Sequence, residues 1–308
     1  MNVWWLTALF RAPIHEVGAV PIRPFSLSLA CPESVEGSKG FARLRQAQPE
    51  RTLYAVLLGA VLSGVLGVTV GHAQTDPRRS GFDFMGPAIQ AMQRDDTQNP
   101  AMLWVQDGEA LWNRDAGKSG KSCASCHAQA QSSMRGVAAR YPAIDELTKR
   151  PVNLGQRINL CRQNHQKAPA LANESQDLLS VEAYVALQSR GQPVTPPVDP
   201  RLEPFVAHGK QLFTQRMGQL NLSCAACHDQ FAGQRLGGSP IPQAYANGYP
   251  TYRLEWQALG SFQRRLRNCM AGVRAEPYPY GAQEAVELQL YLAARAKGML
   301  MEAPAVRP

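Results

Sequence analysis

Cys123-Ala-Ser-Cys126-His127 and Cys224-Ala-Ala-Cys227-His228 stand 101 residues apart, and the chain around them is written twice. Gly108-Glu-Ala-Leu111-Trp112 precedes the first motif and Gly209-Lys-Gln-Leu212-Phe213 the second. In both, the glycine lies 15 residues before the first motif cysteine. Further on, Tyr141-Pro142 matches Tyr249-Pro250, and Arg157-Ile-Asn-Leu-Cys161 matches Arg265-Leu-Arg-Asn-Cys269. These share an offset of 108, so the second copy carries seven extra residues. The stretch with Tyr184 and Leu187 then resembles that with Leu288 and Tyr291. A duplicated unit of about 100 residues has the size of one small domain. Whatever one copy folds into, the other should fold into as well.

The periodicity is that of helices. Leu103, Trp104, Ala110 and Leu111 fall near helical spacing over 101–115, as do Leu178, Leu179, Val181, Val185 and Leu187 over 176–189. Val286, Leu288, Leu290, Tyr291 and Leu292 do so over 282–297. Phe262, Leu266, Cys269 or Met270, and Val273 mark a shorter helix. Few runs alternate with period two. The expected fold is therefore all-α, with each copy an N-terminal helix, the motif, a long loop, a short helix bearing a lone cysteine, and a C-terminal helix. Four prolines fall within 193–200, enough for a stiff extended connector. We expect one domain over 76–192, a Pro-rich linker over 193–200 and a second domain over 201–308.

The motifs carry a chemistry. Two thiols separated by two residues can each bond a vinyl group at a porphyrin edge, and the adjacent histidine then falls under the iron. A zinc site would need four ligands per copy at zinc spacing. The expectation is two covalently bound haem c groups, attached through Cys123 and Cys126 and through Cys224 and Cys227. His127 and His228 would be the proximal iron ligands. The plan is that of a class I cytochrome c domain, repeated. Such domains use a methionine on the other face of the iron, but no methionine lies between Met134 and Met217. Cys161 and His165 are the alternatives in the first copy. In the second, Cys269 and Met270 are adjacent, and spacing does not choose between them. The repeat does, because Cys161 aligns with Cys269 while Met270 aligns with Arg162. Cysteine is then the ligand type common to both copies, and thiolate ligation favours ferric iron. Each cysteine has an arginine one helical turn back, Arg157 and Arg265. Arg264 and Arg267 add charge around Cys269, as candidate anion-binding groups, and cations beside a thiol favour its thiolate. The pair Gly237-Gly238 could let the backbone approach a ligand closely.

The net charge is +8. With no motif for nucleic acid beside it, this reads as a solubilising surface that haem propionates would partly cancel. Residues 1–73 form a leader. Leu53–Val70 is apolar, Arg43, Arg45 and Arg51 precede it, and Gly71-His72-Ala73 closes it with small residues. That is a signal peptide over about 51–73, leaving no membrane anchor after cleavage. Residues 1–50 precede the signal, and translation is expected to begin nearer to it than Met1. An exported, periplasmic protein agrees with covalent haem.

The second copy also resembles a known family. Gly237-Gly238-Ser-Pro-Ile-Pro-Gln243, Gly248-Tyr-Pro-Thr-Tyr-Arg253, Trp256-Gln257, Gly260-Ser261 and Arg265-Leu-Arg-Asn-Cys269-Met270 resemble SoxA, the dihaem subunit of thiosulfate-oxidising SoxAX cytochromes. The likeness extends over about residues 76–300. It implies an L-cysteine S-thiosulfotransferase that pairs with a monohaem SoxX-like subunit. It would join thiosulfate oxidatively to a cysteine of a SoxYZ-like sulfur carrier. It also implies that His228 and Cys269 ligate the active-site haem and His127 and Cys161 the other. Cys269 would be the reacting sulfur, often found as a persulfide, with Arg265 as the cation for the substrate. Two other functions fit parts of the sequence. A dihaem electron-transfer cytochrome would be indifferent to the reactivity of Cys269. A dihaem peroxidase would need a displaceable ligand, which a thiolate at each site argues against.

Overall fold

In a computed structural model that describes residues 76–308, both copies build the expected helices, and α5, α6, α8 and α9 each begin at a side-chain cap. The first copy runs α1 (Pro87–Arg94), α2 (Ala101–Asn113), α3 (Ala124–His127), α4 (Ala130–Ser133), β1 (Ala143–Ile144), β2 (Pro151–Val152), α5 (Leu154–Cys161) and α6 (Gln176–Leu187). The second runs α7 (Glu203–Thr214), α8 (Cys224–His228), β3 (Arg235–Leu236), β4 (Ser239–Pro240), β5 (Thr251–Arg253), β6 (Ala258–Gly260), α9 (Phe262–Gly272), α10 (Gln283–Arg295) and β7 (Ala305–Arg307). Asn153 and Gln156 close a capping box at the start of α5, and Ser261 caps α9 by accepting from the Arg264 N–H at 3.2 Å.

Helices α2 and α6 cross in the first copy, and α7 and α10 in the second. At each crossing a glycine lets the two backbones touch. A Cβ on Gly108 would lie 2.1 Å from the Ser180 carbonyl oxygen, and one on Gly209 would lie 2.1 Å from that of Glu287. These are the glycines that open the repeat in the sequence.

The expected all-α chain is helix-rich but carries three small sheets among the described residues. Strands β1 and β2 pair antiparallel, as do β3 and β4. Strand β5 lies between antiparallel β6 and parallel β7. All but β7, which follows α10, sit in the long loops after the motifs, where backbone groups without a helical partner need ladder bonds.

The core does not respect the boundary between copies. Val105, Trp112, Leu179 and Tyr184 form one cluster with Leu259, Ala296, Met301 and Ala303 of the second copy. A second cluster joins Phe213, Phe262, Leu266, Met270, Leu288 and Leu292. Burying such a side chain contributes about 1.5–3 kcal/mol. The segment between copies belongs to this packing. Gly191 and Val194 donate to the carbonyls of Met301 and Met299, Val194 is buried, and Thr195 donates to Ala139. Its first half is a seam against the C-terminal tail, and residues 195–199 run without regular structure. Among the described residues no helix is long and apolar enough to cross a membrane. The leader expected over 1–73, with its signal at 51–73, lies outside the described residues.

Candidate active site

Ser223 starts the second motif helix by accepting from the Ala226 N–H at 3.1 Å. One turn of α8 then carries Cys224, Cys227 and His228. Opposite stands α9, whose face bears Arg265, Leu266 and Cys269. Cys224, His228, Arg253, Arg265 and Cys269 line one cavity of about 170 Å³. Met270 does not line it; that side chain is 4% exposed and packs in the core. The neighbouring positions that spacing leaves open thus differ in direction, Cys269 toward the cavity and Met270 toward the apolar cluster.

His228 is oriented from behind. Its Nδ1 donates to the Pro242 carbonyl at 2.7 Å, which turns Nε2 toward the cavity. Burial pushes the Cys269 thiol up, but a hydrogen bond with His228 and the charges of Arg265, His228 and Arg253 outweigh it, and the net direction is down. Two thiols on one helical turn, an imidazole whose Nε2 is turned toward the cavity and an opposing thiol are the residues that would hold a covalently attached haem.

The first cavity, about 580 Å³, holds the same constellation: Cys123, Cys126, His127 and, at the end of α5, Cys161. His165 also lines it, from the wide turn Arg162–Gln166, and is exposed. Met134 lines it too. The electrostatics differ from the second cavity. Burial raises the Cys161 thiol, Arg157 opposes this, and the net direction is up. Arg157 is committed to Asp145 at 3.1 Å.

The other two arginines expected to bind substrate do not reach the second cavity. Arg264 stacks on Trp256, 4.3 Å from the ring centroid, and its Nη1 donates to the Leu259 carbonyl at 3.5 Å. Arg267 donates to the Tyr278 carbonyl and lies 4.8 Å over the Tyr280 ring. Their positions on α9 point away from the face that carries Arg265 and Cys269. Gly237 and Gly238 are not a close approach either, since a Cβ at either would meet nothing within 4 Å. They turn the β3–β4 hairpin, with Gly237 at φ +58°, and Ser239 and Pro240 stand at the cavity wall. Arg253, by contrast, was given no role by the sequence and faces Cys269.

The SoxA/TsdA cytochrome c domain family matches this chain twice, over residues 107–194 and 208–301. The chain belongs to that family. The two matches fall on the two copies. Two relatives are named L-cysteine S-thiosulfotransferase subunit SoxA. That from Rhodovulum sulfidophilum is 35% identical over 232 residues, 75% of this chain and 81% of the relative. That from Paracoccus pantotrophus is 36% identical over 231 residues, 74% of this chain and 78% of the relative. The crystal structure of SoxXA from P. pantotrophus superposes with a TM-score of 0.72 at 34% identity, covering 75% of this chain and 87% of that one. The SoxA resemblance carried by residues 237–270 therefore holds for most of the chain, and c-type haem comes with the family.

Proposed function

We propose that this chain is the thiosulfotransferase subunit of a SoxA-type complex, exported to the periplasm and paired with a monohaem SoxX-like cytochrome. Two copies, 76–192 and 201–308, would each hold one covalent haem c. Cys123, Cys126, His127 and Cys161 would hold the first, and Cys224, Cys227, His228 and Cys269 the second. The observation that carries the reading is the opposition of Cys269 and His228 across one cavity with Arg265 in its wall. The names of the relatives and the superposed SoxXA structure support it.

The chemistry asked of this cavity is oxidative. A thiosulfate dianion and a cysteine thiol of a SoxYZ-like carrier lose two electrons as the sulfur–sulfur bond forms, and the thiol proton goes to solvent. When bound, the haem groups supply one-electron acceptors for that loss. The chain's own residues bring anions together. Arg265 offsets the repulsion between the substrate dianion and the Cys269 thiolate through charge-assisted hydrogen bonds. The Pro242 carbonyl fixes the His228 tautomer. Phe262 and Leu266 close the wall with apolar surface. Cys269 is the sulfur on which the transfer is carried out.

The test is Cys269→Ala in the haem-loaded complex, with thiosulfate, carrier protein and cytochrome reduction followed together. Turnover should fall by at least about a thousandfold. Cys269→Met, which keeps a sulfur donor, should lose turnover as well. Retained coupling in either variant refutes the role of Cys269 and favours an electron-transfer cytochrome without substrate chemistry.

A further inference from the structure

The hairpins β1–β2 and β5–β6 pair in the same register. Ala143 faces Val152 as Thr251 faces Gly260, and Ile144 faces Pro151 as Tyr252 faces Leu259. One residue further, the Asp145 N–H donates to the Arg150 carbonyl, and Arg253 faces Ala258. Asp145 and Arg253 therefore occupy the same backbone position in the two copies, at the offset of 108 that also relates Arg157 to Arg265. In the first copy these positions hold a carboxylate and a guanidinium 3.1 Å apart. In the second they hold two guanidiniums. A neutral pair, of which Arg157 lines the first cavity, has become two positive charges that both line the second.

Among the described residues no Asp or Glu lines the cavity. Among the described residues Arg265 has no carboxylate within 4.0 Å. Arg253 has one, Glu255, whose Oε2 takes its Nη2 at 2.8 Å from the solvent side, with the Glu255 side chain 57% exposed. The Arg253 guanidinium lies 5.2 Å over Trp256, and its side chain is only 13% exposed. Its Nε is buried without an acceptor. Arg307, also in the cavity wall, is committed to Glu302 and Gln93. A buried guanidinium donor left unpaired costs free energy, and two guanidiniums in the wall of one cavity repel. An oxyanion with acceptors on several sides removes both penalties.

We propose that Arg253 and Arg265 form a two-guanidinium clamp for the oxyanion end of a dianionic sulfur substrate, and that Asp145 denies the first cavity the same role. This rests on the thiosulfate reading above. A haem propionate offers the same oxyanion chemistry, and the arms of the test separate the two.

The test uses the haem-loaded protein with its monohaem partner. Thiosulfate, and sulfate as a non-reacting dianion, are titrated calorimetrically into the wild type, Arg253→Gln and Arg253→Lys. Arg253→Gln should weaken both anions by about tenfold or more, with haem content as in the wild type. Arg253→Lys, which keeps the charge but not the fork, should bind with intermediate affinity and serves if the glutamine variant takes up haem poorly. In turnover the loss should fall on KM for thiosulfate more than on kcat. Unchanged anion affinity in both variants overturns the clamp. So does a shifted haem potential with unchanged anion affinity, which assigns Arg253 to a propionate. A wild type that binds sulfate through Arg253 but does not turn over thiosulfate upholds the clamp and sinks the thiosulfotransferase reading.

Discussion

The Asp145 carboxylate accepts from the Thr148 N–H and hydroxyl, both at 2.9 Å, and pairs with Arg157. The Thr148 N–H hydrogen bond leads in holding it below the ordinary carboxylate range, against burial, and Arg157 adds to it. A carboxylate whose folded pKa is depressed contributes stability that is present above its unfolded value near 3.8 and is lost as pH falls through the folded one. Asp145→Asn should therefore destabilise the protein at pH 7 by about 1–3 kcal/mol, read as a lower urea midpoint. The gap to the wild type should close under acid. A gap that persists at pH 2 would mean that the ion pair with Arg157 is not its source. Single residues were unevenly legible in the sequence. The motif thiols and histidines announce themselves because covalent haem demands that spacing, and Cys269 does so because its counterpart is also a cysteine. Arg253 does not. Its meaning lies in being the charge-reversed partner of Asp145 in the wall of the Cys269 cavity; the offset of 108 pairs the two positions, but only the structure brings Arg253 to that wall. Arg264 and Arg267 misled for the opposite reason, since closeness in sequence says nothing of which helix face a side chain leaves from.

At the scale of elements, the helices were legible and the strands were not. A helix of 12 or 13 residues such as α6 or α10 repeats its apolar face several times. Strands of two or three residues such as β1 and β5 are too short to show alternation. The crossing glycines were visible as repeated residues, although their reason was not. Gly209 meets the Glu287 carbonyl, a backbone atom that cannot swing aside as a side chain can. Gly209→Ala should force α7 from α10 and cost about 1–3 kcal/mol, and Gly108→Ala should do the same to α2 and α6. Each is checked by the fall in thermal midpoint of the haem-loaded protein. Because α7 and α10 flank the second cavity and α2 and α6 the first, each substitution should also loosen haem retention mainly in its own copy. Unchanged midpoints in both variants would show that the crossings have room the structure denies.

The whole molecule is less divisible than its sequence. A proline-rich stretch reads as a connector because proline cannot continue a helix. Its first half is nonetheless held by the tail at Met299 and Met301, a partner about 100 residues away that no local pattern reveals. The copies also meet at a polar cleft where Glu182 of α6 faces Ser261, Gln263, Tyr280 and Gln289 of the second copy, with Glu174 beside it. Burial pushes the Glu182 carboxyl up to about 8, and the charge of Glu174 adds to the shift. The sign is the reverse of that for Asp145. A carboxyl whose folded pKa lies above its unfolded value of 4.5 stays protonated in the fold. Its stabilisation is complete below 4.5 and is lost as pH rises to about 8. The wild type should thus lose on the order of 2 kcal/mol between pH 5 and pH 9, a figure reduced because the side chain keeps some contact with solvent. Glu182→Gln, neutral at every pH, should flatten that decline, as measured by urea midpoints across the range. Parallel declines in the two proteins would acquit Glu182. A flattened one would place a proton at the seam between the copies and make their contact tighter at pH 6 than at pH 9.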